Sequence, residues 1–316
     1  MTELDAARHG DQAAFGRLVE PFRRELRAHC YRMAGSIHDA DDLLQESLLR
    51  AWRGLAGFEG RASLRTWLYK VTTHACLDQL DRRAPRLLPA DLGPAVSDPA
   101  AIRPPIEDAA FIEPCPRDLY EERESVALAF LVALQLLTPK QRAALIMREV
   151  VGLEASECAE LLDTSVASVN SALQRAREVL ATRAIVPRTP EPNEQQLLAR
   201  YVDAWERADS GALVSLLRDD ATLAMPPMRD WLAGASMIGG AIEHMVFAPA
   251  RAHGFALVPI EANGVPAFAV YARDASGTRR AMALHFVDVR GDKIAAMTAF
   301  ISPALFAKFG LAETIA

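Results

Sequence analysis

Between Ala155 and Arg177 the sequence places Ser165, Ser168, Asn170, Ser171, Gln174, Arg175 and Arg177 around an apolar stripe of Val166, Val169, Leu173, Ala176 and Leu180. The stripe recurs at steps of three and four, so it predicts one helix with the polar residues on the opposite side. Hydroxyl, amide and guanidinium groups are the donors and acceptors that match base edges and phosphates in a DNA major groove. To hold them there, the chain needs a short helix from Ala155 to Leu162, a turn at Asp163-Thr164-Ser165, and a second helix with Ser165 as its N-cap. That is a helix-turn-helix pattern. The solvated face of an ordinary three-helix bundle has the same composition, and the pattern alone leaves both readings open.

A second group of residues suits a different task. From Arg50 to Arg86 the local charge is +5, and the cations Arg61, Arg65 and Lys70 are interleaved with Trp52, Phe58, Trp67 and Tyr69. Opening a duplex requires this mixture, because cations hold phosphates while an aromatic or apolar pocket receives an unstacked base. Trp67 and Tyr69 also fit a core, Trp67 the better of the two, and Arg82 and Arg83 also fit a helix end, where they would complement the dipole. Just upstream, Asp39, Asp41, Asp42, Gln45 and Glu46 with Leu43 and Trp52 form an acidic, partly apolar helix face. Its plain alternative is a solvated acidic stripe.

The formal net charge of -6 over 316 residues argues against a nucleic-acid partner until it is divided along the chain. Residues 87–124 alone carry -6, and eight of the 19 prolines lie between Pro85 and Pro116. Such a segment cannot be a continuous helix or a central strand. It reads as an extended acidic linker. A shorter break, Pro187 to Asn193, marks a second boundary. The expected modules are therefore 1–86, 125–187 and 194–316, joined by linkers 87–124 and 188–193. Phe15, Leu18, Val19 and Phe22, then Leu43, Leu44, Leu48, Ala51 and Trp52, then Trp67, Leu68, Val71, Ala75, Leu77 and Leu80 give the first module three helical stripes. Thr138-Pro139-Lys140-Gln141 opens the second with a capping box, and Ala143, Leu145, Ile146 and Val150 follow as an apolar face. No window resembles a membrane span or a signal peptide, and the four cysteines form no C-x-x-C pair. The expectation is a cytoplasmic chain with reduced thiols, no metal, no cofactor and no membrane contact.

Tyr31 to Arg83, with Ala-Asp-Asp-Leu-Leu-Gln-Glu (Ala40 to Glu46), Trp52 and Ser-Leu-Arg-Thr-Trp-Leu-Tyr-Lys (Ser63 to Lys70), resembles region 2 of bacterial RNA polymerase sigma factors of the extracytoplasmic-function type. Leu136 to Leu180 resembles region 4 of the same family. The resemblance implies an alternative sigma factor that binds core polymerase and recognises the minus-35 and minus-10 promoter elements. It implies that Asp39, Asp41, Asp42, Leu43, Gln45, Glu46 and Trp52 dock on the clamp helices of the largest subunit, with a further contact to the flap. Phe58, Arg61, Ser63, Arg65, Lys70 and His74 would meet the minus-10 element, with His74 standing where many members have asparagine. Ser165, Ser168, Asn170, Ser171, Gln174, Arg175 and Arg177 would meet the minus-35 element. The acidic linker would thread the polymerase channels. Within it Phe111, Glu113, Pro114, Pro116 and Asp118 resemble a Trp-x-Glu-Pro-Tyr-Pro-Asp motif from which Phe111, Cys115 and Arg117 depart, a candidate regulatory contact.

From Glu194 the pattern changes to helices followed by strands. Leu197, Leu198, Tyr201 and Trp205, then Leu213, Leu216 and Leu217, form helical stripes. Ala221 to Met225, Phe268 to Ala272, Ala281 to Val289 and Ile294 to Phe300 are strand-like, with a hairpin turn at Arg290-Gly291-Asp292-Lys293. An α+β cone follows, and the run from Leu198 to Pro227 resembles the SnoaL-like branch of the NTF2-like superfamily. Some members of that superfamily are enzymes with a general base in the cone. Asp219, Asp220, His244 and His285 are the candidates here, but no acid and base can be paired by spacing. The expected fold is thus multidomain: two all-α sigma domains and an α+β cone that regulates in cis by touching the sigma domains and linker. A core-independent, ligand-sensing helix-turn-helix regulator and an NTF2-like enzyme remain as alternatives.

Overall fold

A computed structural model describes residues 2–81, 83–105, 111–117, 128–181, 193–250 and 254–315. Two compact units form: Met1–Arg86 with Arg117–Ile185, and Leu87–Pro116 with Val186–Ala316.

The first unit is helical. Helices α1 (Glu3–Arg8), α2 (Gln12–Val19), α3 (Arg23–Ala34), α4 (Ile37–Gly54) and α5 (Leu64–Leu80) make its first part, and all but α3 start where the sequence supplies a side-chain cap. Thr2, Asp11, Ser36 and Ser63 each accept a backbone N–H in the first turn. Helix α3 ends at Gly35, whose φ of 71° suits glycine, and the Gly35 N–H returns to the Tyr31 carbonyl at 2.7 Å. A β-carbon at Gly35 would also meet Gln135 at 3.0 Å. Leu26, Tyr31, Met33, Ile37, Leu43 and Leu68 are fully buried among α3, α4 and α5, and each such side chain contributes about 1.5–3 kcal/mol.

Helices α6 (Leu128–Gln135), α7 (Pro139–Leu145), α8 (Ala155–Leu161) and α9 (Val166–Ala181) complete this unit. The Thr138–Gln141 capping box forms as expected. The Arg142 guanidinium, 3% exposed, donates to the carbonyls of Leu134, Gln135 and Leu137, and also to that of Met33 at the end of α3. Burial pushes its pKa down to about 10. One buried cation thereby ties the second helical module to the first.

The second unit is the expected α+β fold. Helices α10 (Glu194–Glu206), α11 (Ser210–Leu216), α12 (Ala235–Ile242), α13 (Ala248–Ala250) and α14 (Ala304–Lys308) accompany a sheet. Its strands are β1 (Leu217–Ala224), β2 (Trp231–Ala233), β3 (Phe255–Ala262), β4 (Val265–Arg273), β5 (Arg279–Arg290), β6 (Lys293–Phe300) and β7 (Thr314–Ile315). The order is β2-β1-β6-β5-β4-β3, with β7 on β5; β1 and β6 run parallel, the other pairs antiparallel. Register shifts in three ladders bend the sheet. Tyr201, Trp205, Phe247, Phe255 and Phe268 fill the space between helices and sheet.

Residues 87–116 of the acidic linker belong to this unit. Their described residues, 87–105 and 111–116, are extended apart from short turns at Pro89–Asp91 and Pro99–Ala101. The Val96 N–H donates to the Trp231 carbonyl at 3.0 Å, and Trp231 Nε1 donates to the Gly93 carbonyl at 2.8 Å. Val96 and Ile102 pack against the apolar core. Arg103 forks onto Asp230 at 2.5 and 3.0 Å and adds its backbone N–H at 2.8 Å. These hydrogen bonds hold the 4%-exposed Asp230 carboxyl down at about 2.

Candidate nucleic-acid interface

Helix α9 is built as its sequence stripe requires. Val169, Leu173 and Ala176 are buried, while Ser165, Ser168, Asn170, Ser171, Gln174, Arg175 and Arg177 are all exposed. Ser165 caps the helix, its Oγ accepting the Ser168 N–H at 3.1 Å. Arg175 donates to Ser171 Oγ at 2.7 Å, Gln174 to Glu178 at 3.0 Å, and Arg177 to Glu149 at 2.5 Å. The stripe needs one correction: Val166 is 44% exposed, because it lies in the first turn, ahead of the packed part of the helix.

The α5 residues are placed differently. Arg65 forks onto Glu25 at 2.7–3.1 Å and lies 5.0 Å over the Tyr69 ring. The hydrogen bonds it donates to Glu25 raise its pKa. In this structure Arg65 is engaged by Glu25 and Tyr69, where the expectation has it meeting the minus-10 element. Arg61, whose side chain is 86% exposed, reaches Glu59 at 2.6 Å. Ser63 is spent on the α5 cap, its Oγ accepting the Thr66 N–H at 3.0 Å. Lys70 Nζ donates to Asp163 Oδ1 at 2.7 Å and to the Glu160 carbonyl at 3.1 Å. His74 Nε2 lies 2.9 Å from the Leu161 carbonyl and 3.4 Å from Asp163 Oδ2.

Phe58, expected at the base-capturing loop, is 7% exposed and packs 5.1 Å from Trp67 in a small core with Ala7, Ala14 and Leu55. It floors the site instead of projecting from it. Of the two aromatics read as core alternatives, Tyr69 is the more deeply buried, at 4%. Above this floor lies a cleft of about 680 Å³, walled by Arg61, Ser63, Thr66 and Lys70 on one side and by Glu157, Glu160 and Leu161 of α8 on the other.

On α4, Asp42 and Gln45 are exposed, but Leu43 is 1% exposed and belongs to the core. Leu43 is thus removed from the expected docking face. Leu49, which the sequence reading omitted, is 42% exposed and follows Asp42 by seven residues and Gln45 by four. That spacing, visible in the sequence, puts it on the same face. Asp39 is held by Arg83 and Arg86 at 2.9 and 2.8 Å, Asp41 by Arg27 at 2.5 Å, and Glu46 by Arg50 at 2.7 Å. Trp52 stands edge-on to Phe15 at 5.1 Å.

In the linker, Phe111 bridges to Leu87 and Pro116 to Ala262. The Cys115 N–H donates to Asn263 Oδ1 at 2.9 Å. Glu113 and Pro114 lie in the same described stretch, 111–117; Asp118 and Arg82 lie outside the described residues. Inside the cone, His285 is 4% exposed, with Nδ1 2.9 Å from the Tyr201 hydroxyl and its ring 4.6 Å from Trp205. Burial pushes its pKa down to about 3. Asp219, Asp220 and His244 are exposed, and Asp220 pairs with Arg218 at 2.8 Å. None of these three shares the interior with His285.

Among the described residues no helix is long and apolar enough to cross a membrane, and no cluster of three metal-ligating side chains occurs.

Helical modules of this order, one with a cation-rich loop and helix and one ending in a helix-turn-helix, define a sigma-type transcription initiation factor, here extended by an α+β domain. Residues 18–86 match the sigma-70 region 2 family and residues 127–180 match sigma-70 region 4. The chain is 42% identical to the ECF RNA polymerase sigma factor SigG of Mycobacterium tuberculosis, over 98% of this chain and 86% of that one. It is 30% identical to SigJ of the same organism over 64% of this chain and 62% of SigJ. The crystal structure of the M. tuberculosis extracytoplasmic function sigma factor SigJ shares the fold with a TM-score of 0.63, at 23% identity, covering 94% of this chain and 99% of that one. The chain belongs to the extracytoplasmic-function RNA polymerase sigma factor family.

Proposed function

We propose that this sigma factor binds core polymerase through the exposed α4 strip of Asp42, Gln45 and Leu49, reads the minus-35 element with α9, and engages the minus-10 element with the loop and helix around Arg61, Lys70 and His74. The observation that carries the reading is α9: every polar residue chosen for DNA contact is exposed, while the stripe beneath supplies the packing. Leu49, 42% exposed alongside an amide and a carboxylate, gives this strip apolar area that a partner would bury. The C-terminal cone has a binding and regulatory role in this reading, acting on the linker it holds at Asp230, Trp231 and Asn263. The reading assigns the cone no catalytic step: His285 shares the interior with Tyr201 and Trp205, while Asp219 and Asp220 are exposed. It places the protein in the cytoplasm with its polymerase.

The test is binding of the full chain to core polymerase. Leu49→Glu should weaken it about tenfold, the effect of losing that apolar area from the interface, with the thermal unfolding midpoint unchanged. Unaltered binding would remove α4 from the polymerase interface.

A further inference from the structure

Asp163 sits in the turn between α8 and α9 with a φ of 48°. Glycine adopts that left-handed conformation without strain; aspartate tolerates it better than most residues but gains nothing from it. What aspartate adds is a carboxylate. Its two oxygens face Lys70 Nζ at 2.7 Å and His74 Nε2 at 3.4 Å, residues one helical turn apart on α5. The last carbonyls of α8, from Glu160 and Leu161, complete the same two contacts at 3.1 and 2.9 Å. Lys70 and His74 thus meet an anionic oxygen pair ringed by further acceptors, the set a DNA phosphate and its sugar would present. Glu157 and Glu160 extend the acidic surface across the cleft that faces Arg61.

We propose that the Asp163 turn is an autoinhibitory latch, in which region 4 covers the minus-10 surface of region 2 by occupying the position of a promoter phosphate on Lys70 and His74. The inference rests on the assignment of those two residues to the minus-10 element. The latch is built to be displaced. The Asp163 side chain is 63% exposed and that of Lys70 39%, so their attraction is modest and falls with salt. A polyanion that brings several phosphates at once competes with it effectively. The closed form then discourages contact with stray nucleic acid, and separation of the two modules uncovers the cations.

The chain contains four lysines, Lys70, Lys140, Lys293 and Lys308, which makes amine acetylation a site-resolved probe. In the full-length protein at low salt, Asp163→Gly should raise the Lys70 labelling rate about threefold to tenfold relative to Lys308. It should tighten binding of mixed-sequence single-stranded DNA by a similar factor. The thermal midpoint should hold or rise, since glycine suits the turn, and Asp163→Asn should act in the same direction with the turn conserved. Unchanged Lys70 labelling in both variants overturns the latch, whatever the DNA result. If labelling rises but Lys70→Ala binds the DNA as tightly as the native chain, the minus-10 assignment of Lys70 fails and autoinhibition with it.

Discussion

Helices α9 and α5 both carry residues chosen for DNA contact, yet they meet the rest of the protein in opposite ways. Helix α9 packs through one narrow stripe at the edge of its unit, and the bonds its polar residues make run mostly along the helix itself. Helix α5 lies between neighbours, with Leu68, Tyr69, Thr72, Thr73, Ala75, Cys76 and Leu77 all buried. Its cations emerge beside carboxylates from elsewhere in the chain: Glu25 for Arg65, Asp163 for Lys70. A peripheral helix can leave its reading face open; a central one has its charges answered by the fold. In such a position the residue types that suit DNA also suit internal ion pairs, and geometry decides between the two.

The comparison breaks most readily at α9. Asn170→Ala and Arg175→Ala should each lower transcription from a minus-35-dependent promoter by about tenfold or more, since a good base contact contributes about 1–3 kcal/mol. Stability should not change. Full activity in both variants would show that exposure on α9 is only solvation.

Both units carry one histidine buried in neutral form, His29 in α3 and His285 in β5, and burial holds each near a pKa of about 3 against an ordinary 6.5. The unfolded chain therefore binds more protons between those values, so stability falls as the pH drops below 6.5. Each histidine should contribute a loss approaching about 1.4 kcal/mol per pH unit well inside that window. Thermal unfolding from pH 7 to pH 5 should show a falling midpoint, flattened in part by His285→Gln. A midpoint independent of pH would mean that neither ring is held neutral.

The smallest effects separate the two arginines around α5. Arg61→Ala should reduce the salt slope of promoter binding by about one, the signature of a single phosphate contact, with no change in stability. Arg65→Ala should leave the slope alone and lower stability by roughly 1 kcal/mol or less, the range for a partly exposed ion pair. An exchange of those outcomes would place Arg65, not Arg61, on DNA.

How legible this was in the sequence follows the range of the interactions. The capping box at Thr138, the Ser165 cap, the α9 stripe and β4 to β6 are set by residues within a few positions of each other, and their patterns were readable. Strand β3 was missed because Pro259 interrupts it; as an edge strand it tolerates the lost N–H. The Asn263-Gly264 turn that joins it to β4 is a strong hairpin signal. Helical periodicity gave α4 its existence and offered Leu43 both to the apolar stripe and to the docking face; packing against α3 and α5 buries it. The contact of Lys70 with Asp163 spans 93 positions, and the seating of Arg103 on Asp230 spans 127. No local pattern encodes either pairing. Composition marked the linker as extended and acidic, and only tertiary structure shows that the cone holds it.

The most direct test of the account is run-off transcription by core polymerase with the full-length chain, on a responsive promoter and on versions with the minus-35 or minus-10 element scrambled separately. The account predicts a transcript only when polymerase, this chain and both elements are present. Tight, specific duplex binding by the chain alone, with no transcript from any template, would contradict it.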